Sequence, residues 1–125
     1  MPNLLFRGVE ADKLRRIGEP LAAELADICG CGADNFTMDV MLTATVYGGL
    51  DGRSYPFVEI GWFERGQSVR DRVAEAVAGQ LRSIGVEECE MVFRAYREDH
   101  YYINGKPCGR SEERRVGKEC RSRWS

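Results

Sequence analysis

Residues 12–47, DKLRRIGEPLAAELADICGCGADNFTMDVMLTATVY, change period partway along. Leu14, Ile17, Leu21, Leu25 and Ile28 recur at steps of three and four, the spacing of one helix face. Asp12, Lys13, Arg15, Arg16, Glu19, Glu24 and Asp27 fill the positions between them and make a solvated face. Gly30 follows the last apolar position, where a helix C-terminal glycine belongs. Pro20 is discordant, because inside a helix it removes a donor and costs about 3 kcal/mol. A kink is expected there, or a helix that restarts with Pro20 in its first turn. From Phe36 the period shortens to two. Phe36, Met38, Val40, Leu42, Ala44 and Val46 share one face, and Thr37, Asp39, Met41, Thr43, Thr45 and Tyr47 share the other. This predicts a long strand, residues 36–47, with one buried side.

The flanking segments extend this pattern. Residues 2–6, PNLLF, read as a first strand broken by Arg7-Gly8. Residues 48–52, GGLDG, are a turn, and Tyr55–Phe63 reads as a buried strand. Ser68-Val69-Arg70-Asp71 has the form of a capping box with aspartate in the usual glutamate place. Val69, Val73, Ala76, Val77, Leu81 and Ile84 predict a second amphipathic helix closed by Gly85. Met91–Arg97 alternates as a strand, and Asn104-Gly105 signals a hairpin. A shift of 55 residues lays Leu5 on Ile60, Leu14 on Val69, Ala22 on Val77, Ala26 on Leu81, Gly30 on Gly85 and Met38 on Phe93. Helix falls on helix and strand on strand. The reading is an α/β fold of the two-layer α+β type: a duplicated β-α-β unit whose right-handed crossovers pack both helices on one face of a four-stranded mixed sheet. Met41, Tyr47, Val92 and Tyr96 would lie on the other face, which calls for a partner surface.

The bulk numbers narrow the function classes. The chain has 125 residues, 43% hydrophobic and 30% charged, as one soluble domain would. No apolar run approaches the roughly 20 residues of a membrane helix, and MPNLLFRGVEADK does not read as a signal peptide, so a cytoplasmic location is expected. Net charge is −2, of which residues 110–125 contribute +3, leaving −5 on residues 1–109. A domain of that sign has no electrostatic footprint for nucleic acid. Residues 1–109 are read as the domain. Residues 110–125, RSEERRVGKECRSRWS, are read as a disordered basic tail that looks like a cloning or assembly artefact. The five cysteines are odd in number and suggest no disulfide framework, and Cys29-Gly30-Cys31 is one residue short of the C-x-x-C of zinc and redox sites. A metal site using these cysteines and His100 is outweighed by ordinary thiols, so no metal and no cofactor is expected.

Three features together carry a resemblance: Pro2 opening the first strand, the doubled β-α-β unit, and Tyr47-Gly48-Gly49 after the second strand. With them the chain resembles the tautomerase superfamily, which includes macrophage migration inhibitory factor and 4-oxalocrotonate tautomerase. The stretches MPNLLFRGVE, YPFVEIGWFERGQ and HYYINGKP look more closely like a bacterial family assigned to that superfamily, over roughly residues 1–107. The resemblance implies a homotrimer acting on a small-molecule substrate. Pro2, freed of Met1, would be the general base, and polar side chains would come from a neighbour's strand. Arg94 would hold a carboxylate or polarise a carbonyl, Trp62 and Phe63 would supply apolar walls, and Tyr96 lies on the Arg94 strand face. The lysine that migration inhibitory factor carries after its first helix is absent, Gly30-Cys31-Gly32 standing there, and Lys13 is only a rough counterpart of the arginine in 4-oxalocrotonate tautomerase. The chemistry is sound in itself. An α-amino group titrates at about 7.7–8.0, and burial lowers that value further, towards the working pH of a base. The alternative function is a non-catalytic trimeric binding module of the same fold.

Overall fold

A computed structural model describes residues 2–49 and 52–108. The first strand, β1 (Asn3–Arg7), turns Leu4 and Phe6 inward and leaves Asn3 and Arg7 exposed. The first helix, α1 (Ala11–Cys29), buries Leu14, Ile17, Leu21, Leu25 and Ala26, the expected stripe with Ala26 added at its edge and Ile28 only half-buried at its end. It runs through Pro20 as one helix and does not restart. Pro20 is exposed, so the carbonyl it leaves without a donor can be solvated. Gly30 closes α1 in the left-handed conformation, φ 71°, and the Cys31 N–H returns to the Ala26 carbonyl at 3.0 Å.

After the return come β2 (Thr37–Val40), β3 (Phe57–Trp62), α2 (Gln67–Ser83) and β4 (Glu90–Ala95). The sheet order is β2-β1-β3-β4. β1 is parallel to β2 and β3 is parallel to β4, while the central pair β1–β3 is antiparallel. Two β-α-β units therefore meet back to back across β1 and β3, and both helices cover one face. Leu4, Phe6, Val58, Ile60 and Trp62 from the sheet pack against Ile17, Leu21, Leu25, Val73, Val77 and Leu81 from the helices. Each such side chain contributes about 1.5–3 kcal/mol when fully buried. A hairpin of β5 (Tyr102–Ile103) and β6 (Lys106–Pro107) follows, with Asn104 at φ 54° and Gly105 at φ 80°, both positive as a two-residue type I′ turn requires.

Two local expectations are corrected. The strand over 36–47 is paired only from Thr37 to Val40. Its partner ends: Phe6 pairs with Val40, the Met41 N–H reaches the Phe6 carbonyl at 2.7 Å, and β1 stops at Arg7. Gly8 then turns the chain away so tightly that a Cβ there would stand 2.7 Å from the Tyr55 carbonyl oxygen. Leu42 and Val46 are left 90% and 98% exposed, so the alternation continues with no strand among the described residues to pair with. The capping box at Ser68 is also absent. The residue before α2 is Gly66, and no side chain caps the first turn. The Glu64 carboxylate accepts the Gly66 N–H at 3.0 Å and pairs with Arg70. Residues 110–125, with Cys120, lie outside the described residues.

Candidate active site

Because β1 and β3 are antiparallel, the N-terminal end of β1 lies at the C-terminal end of β3. Asn3 pairs with Gly61, and one further step of the register sets Pro2 opposite Trp62. Pro2 is under 2% exposed and Trp62 is 1% exposed. The Pro2 carbonyl accepts the Thr37 N–H at 3.1 Å, which fixes the residue between β2 and β3. Trp62 is tilted on Phe93, ring centres 5.0 Å apart, and the Arg65 guanidinium carbon stands 5.5 Å over the indole. The indole N–H is buried with no hydrogen-bond partner among the described residues. An unsatisfied donor in such a place costs about 1–3 kcal/mol.

The other predicted residues sit on the opposite face of the sheet. Phe63 follows Trp62 and so turns away from it. Its ring meets Tyr96 at 6.4 Å and Tyr101 at 5.0 Å, and Tyr96 and Tyr101 are 5.6 Å apart. Burial, with Tyr96 beside it, pushes the Tyr101 phenol above its ordinary value, which keeps it a protonated donor at neutral pH. Arg94 pairs across the ladder with Gly61, and its Nε lies 2.8 Å from a Glu59 carboxylate oxygen. With the Arg94 side chain 67% exposed, the pair is an open one that leaves other guanidinium donors to solvent. Asn3 completes this row and accepts a hydrogen bond from the Thr37 hydroxyl at 2.6 Å.

The fold thus splits the predicted set between two faces. Pro2 and Trp62 stand on the helix side, and Phe63, Arg94 and Tyr96 on the open side, all at the same end of the sheet. Sequence reasoning missed Arg65, whose stacking on Trp62 brings a cation to that end. Its only signal was a place between a buried strand and a helix.

A family model for a domain of unknown function, DUF1904, matches residues 1–107. The chain belongs to the DUF1904 family. A DUF1904 domain from Sebaldella termitidis is 32% identical over 86% of this chain and 99% of its own, with a TM-score of 0.75. A fused 4-OT, an asymmetric trimer, is 12% identical over 84% of this chain and 94% of its own, with a TM-score of 0.69. A macrophage migration inhibitory factor-like protein from Entamoeba histolytica is 11% identical over 85% of this chain and 97% of its own, with a TM-score of 0.66. The last two likenesses show a shared fold, the tautomerase fold expected from the sequence. No functionally curated protein matches the chain significantly.

Among the described residues of this DUF1904 domain no group of three or more Cys, His, Asp or Glu side chains comes together. Cys29, Cys31 and Cys89 are free thiols, and Cys108 is disulfide-bonded, a departure from the all-thiol expectation. Burial pushes the Cys29 thiol up, against the partial relief of Arg65 nearby, so it stays a thiol at neutral pH. No helix among the described residues is long and apolar enough to cross a membrane.

Proposed function

We propose that this DUF1904 domain is a tautomerase-like enzyme whose base is the secondary amine of Pro2 after removal of Met1, acting on a small keto or enol acid. The observation that carries the reading is the placement of Pro2: a ring under 2% exposed, at a strand start, beside a buried indole. An amine in apolar surroundings is held neutral, because desolvation disfavours its charged form, and a neutral amine can take a proton from carbon. Trp62 offers a buried N–H that has no acceptor among the described residues. Arg65 adds a cation at the same end for a substrate carboxylate. Arg94, held by Glu59 on the open face, would serve a neighbouring subunit's site in a homotrimer. The trimeric state of the fused 4-OT supports that assembly, as do Met41 and Val92, 43% and 40% exposed on or beside the open face.

The test begins with intact mass, which shows whether Pro2 is the first residue. The parent is expected to ketonise enolphenylpyruvate faster than buffer, and Pro2→Ala to lose about 100–10,000-fold of that rate, the usual contribution of one general base. A parent no faster than buffer on any enol acid, or a Pro2→Ala variant as fast as the parent, would replace this reading with the non-catalytic binding module.

A further inference from the structure

At the end of the sheet away from Pro2, Arg7, Phe57 and Glu90 form one row across β1, β3 and β4. Arg7 lies four residues from Asn3 on β1, and Glu90 four from Arg94 on β4, so the row belongs to the open face and stands about 13 Å from the Asn3 row. The segment after β2 folds over it. Gly48 meets the backbone of Arg53 so closely that a Cβ on Gly48 would stand 2.5 Å from the Arg53 carbonyl oxygen. The Ser54 hydroxyl thereby comes within 3.1 Å of the Thr43 hydroxyl and 2.9 Å of the Thr45 hydroxyl. Row and segment line a cleft of about 760 Å³. Small-molecule sites hold roughly 300–1,000 Å³.

The cleft is basic in a domain that is acidic. Arg7 and Arg53 line it against the carboxylate of Glu90, whereas residues 1–109 carry −5. Among the described residues neither arginine makes an ion pair with a carboxylate. The Arg7 guanidinium carbon stands 4.9 Å over the Phe57 ring. Stacking occupies one face of that planar group and leaves its edge N–H donors, which bind phosphate and carboxylate oxygens in pairs. The three hydroxyls have a donor to spare as well. Their two mutual hydrogen bonds consume two of three O–H groups, so one O–H remains. Tyr47 and Tyr55 add aromatic surface.

We propose that this cleft is a second ligand site, for a small phosphate ester bearing hydroxyl groups, a sugar phosphate in class. Arg7 and Arg53 hold the phosphate dianion, whose two charges match two guanidiniums. Glu90 accepts from the ligand's hydroxyls, where it would repel a bare polyanion, and the Thr43, Thr45 and Ser54 hydroxyls complete that half of the site. The site shares no residue with the Pro2 end of the sheet, and it does not depend on the Pro2 reading.

The test is calorimetric titration of the full chain with glucose 6-phosphate, inorganic phosphate and glucose at fixed ionic strength. Glucose 6-phosphate is expected to bind with a Kd of about 1 mM or below, inorganic phosphate about 10-fold more weakly, and glucose without measurable heat. Arg7→Met and Arg53→Met should each weaken glucose 6-phosphate by about 10-fold or more, the loss of a charge-assisted pair. Glu90→Gln should narrow the preference for glucose 6-phosphate over inorganic phosphate. Pro2→Ala should bind as the parent does. Arg53 is exposed, so Arg53→Met carries the test even if Arg7→Met does not fold. The proposal is overturned if the parent gives no heat with millimolar glucose 6-phosphate, if binding survives both arginine variants, or if Pro2→Ala abolishes it. Equal affinity for glucose 6-phosphate and inorganic phosphate also overturns it. If the parent does not bind and Arg53→Met lowers the mass found by sedimentation, the cleft is a contact between copies of the chain and not a ligand site.

Discussion

A residue's surroundings decide whether its chemistry is available, and Arg94 and Cys29 show it. On the sequence Arg94 is a free cation on a strand. In the fold Glu59, two residues before its register partner Gly61, takes its Nε at 2.8 Å. The pair is open to solvent, so Glu59→Gln should change stability by no more than about 1 kcal/mol in urea denaturation. Cys29 ends α1 half-buried, and burial raises its thiol from the ordinary value of 9.0. The sign follows directly: the native state holds the proton more tightly than the unfolded chain. The resulting stability is complete below the unfolded value and is lost as pH rises through the folded value. Alkylation of Cys29 by iodoacetamide, followed by peptide mass spectrometry, should therefore reach half its plateau rate at a higher pH in the folded protein than in urea. Coincident profiles would show that burial does not act on this thiol.

At the scale of elements, propensity yields to packing. Pro20 lies inside α1, where the intrinsic cost is about 3 kcal/mol, yet the helix is continuous because Leu14, Ile17, Leu21 and Leu25 are buried on both sides of it. Pro20→Ala restores the missing donor at an exposed position and loses the stiffness proline gives the unfolded chain. A net gain of about 1–2 kcal/mol is expected, read as a higher urea midpoint at unchanged slope. Leu21→Ala, on the same helix but fully buried, should cost about 2–5 kcal/mol. The segment after Val40 shows the opposite limit. Its alternation is as regular as that of any strand here, but a strand needs a partner backbone, and β1 ends first. Among the described residues the segment therefore runs on without a partner strand.

For the whole molecule, the proposed homotrimer predicts that sedimentation equilibrium at micromolar concentration gives three times the chain mass, and a stable monomer would remove the shared-site role of Arg94. The duplicated β-α-β order, both helix faces, the Asn104-Gly105 hairpin and the candidacy of Pro2 were legible in the chain, because hydrophobic period and turn chemistry are local and the 55-residue repeat states the architecture twice. Strand ends were not legible: Val40 ends β2 because Arg7 ends β1, which is a property of another segment. Nor was the division of the site. Trp62 and Phe63 are neighbours in sequence and the pleat sends them to opposite faces, one to Pro2 and one to Tyr96 and Tyr101. The sequence by itself determined which segments are helix or strand and which faces are apolar, since those depend on neighbours a few residues away. Only the tertiary structure decided which side chains meet at the end of the sheet, because strand register and the alternation of the pleat exist only between paired strands.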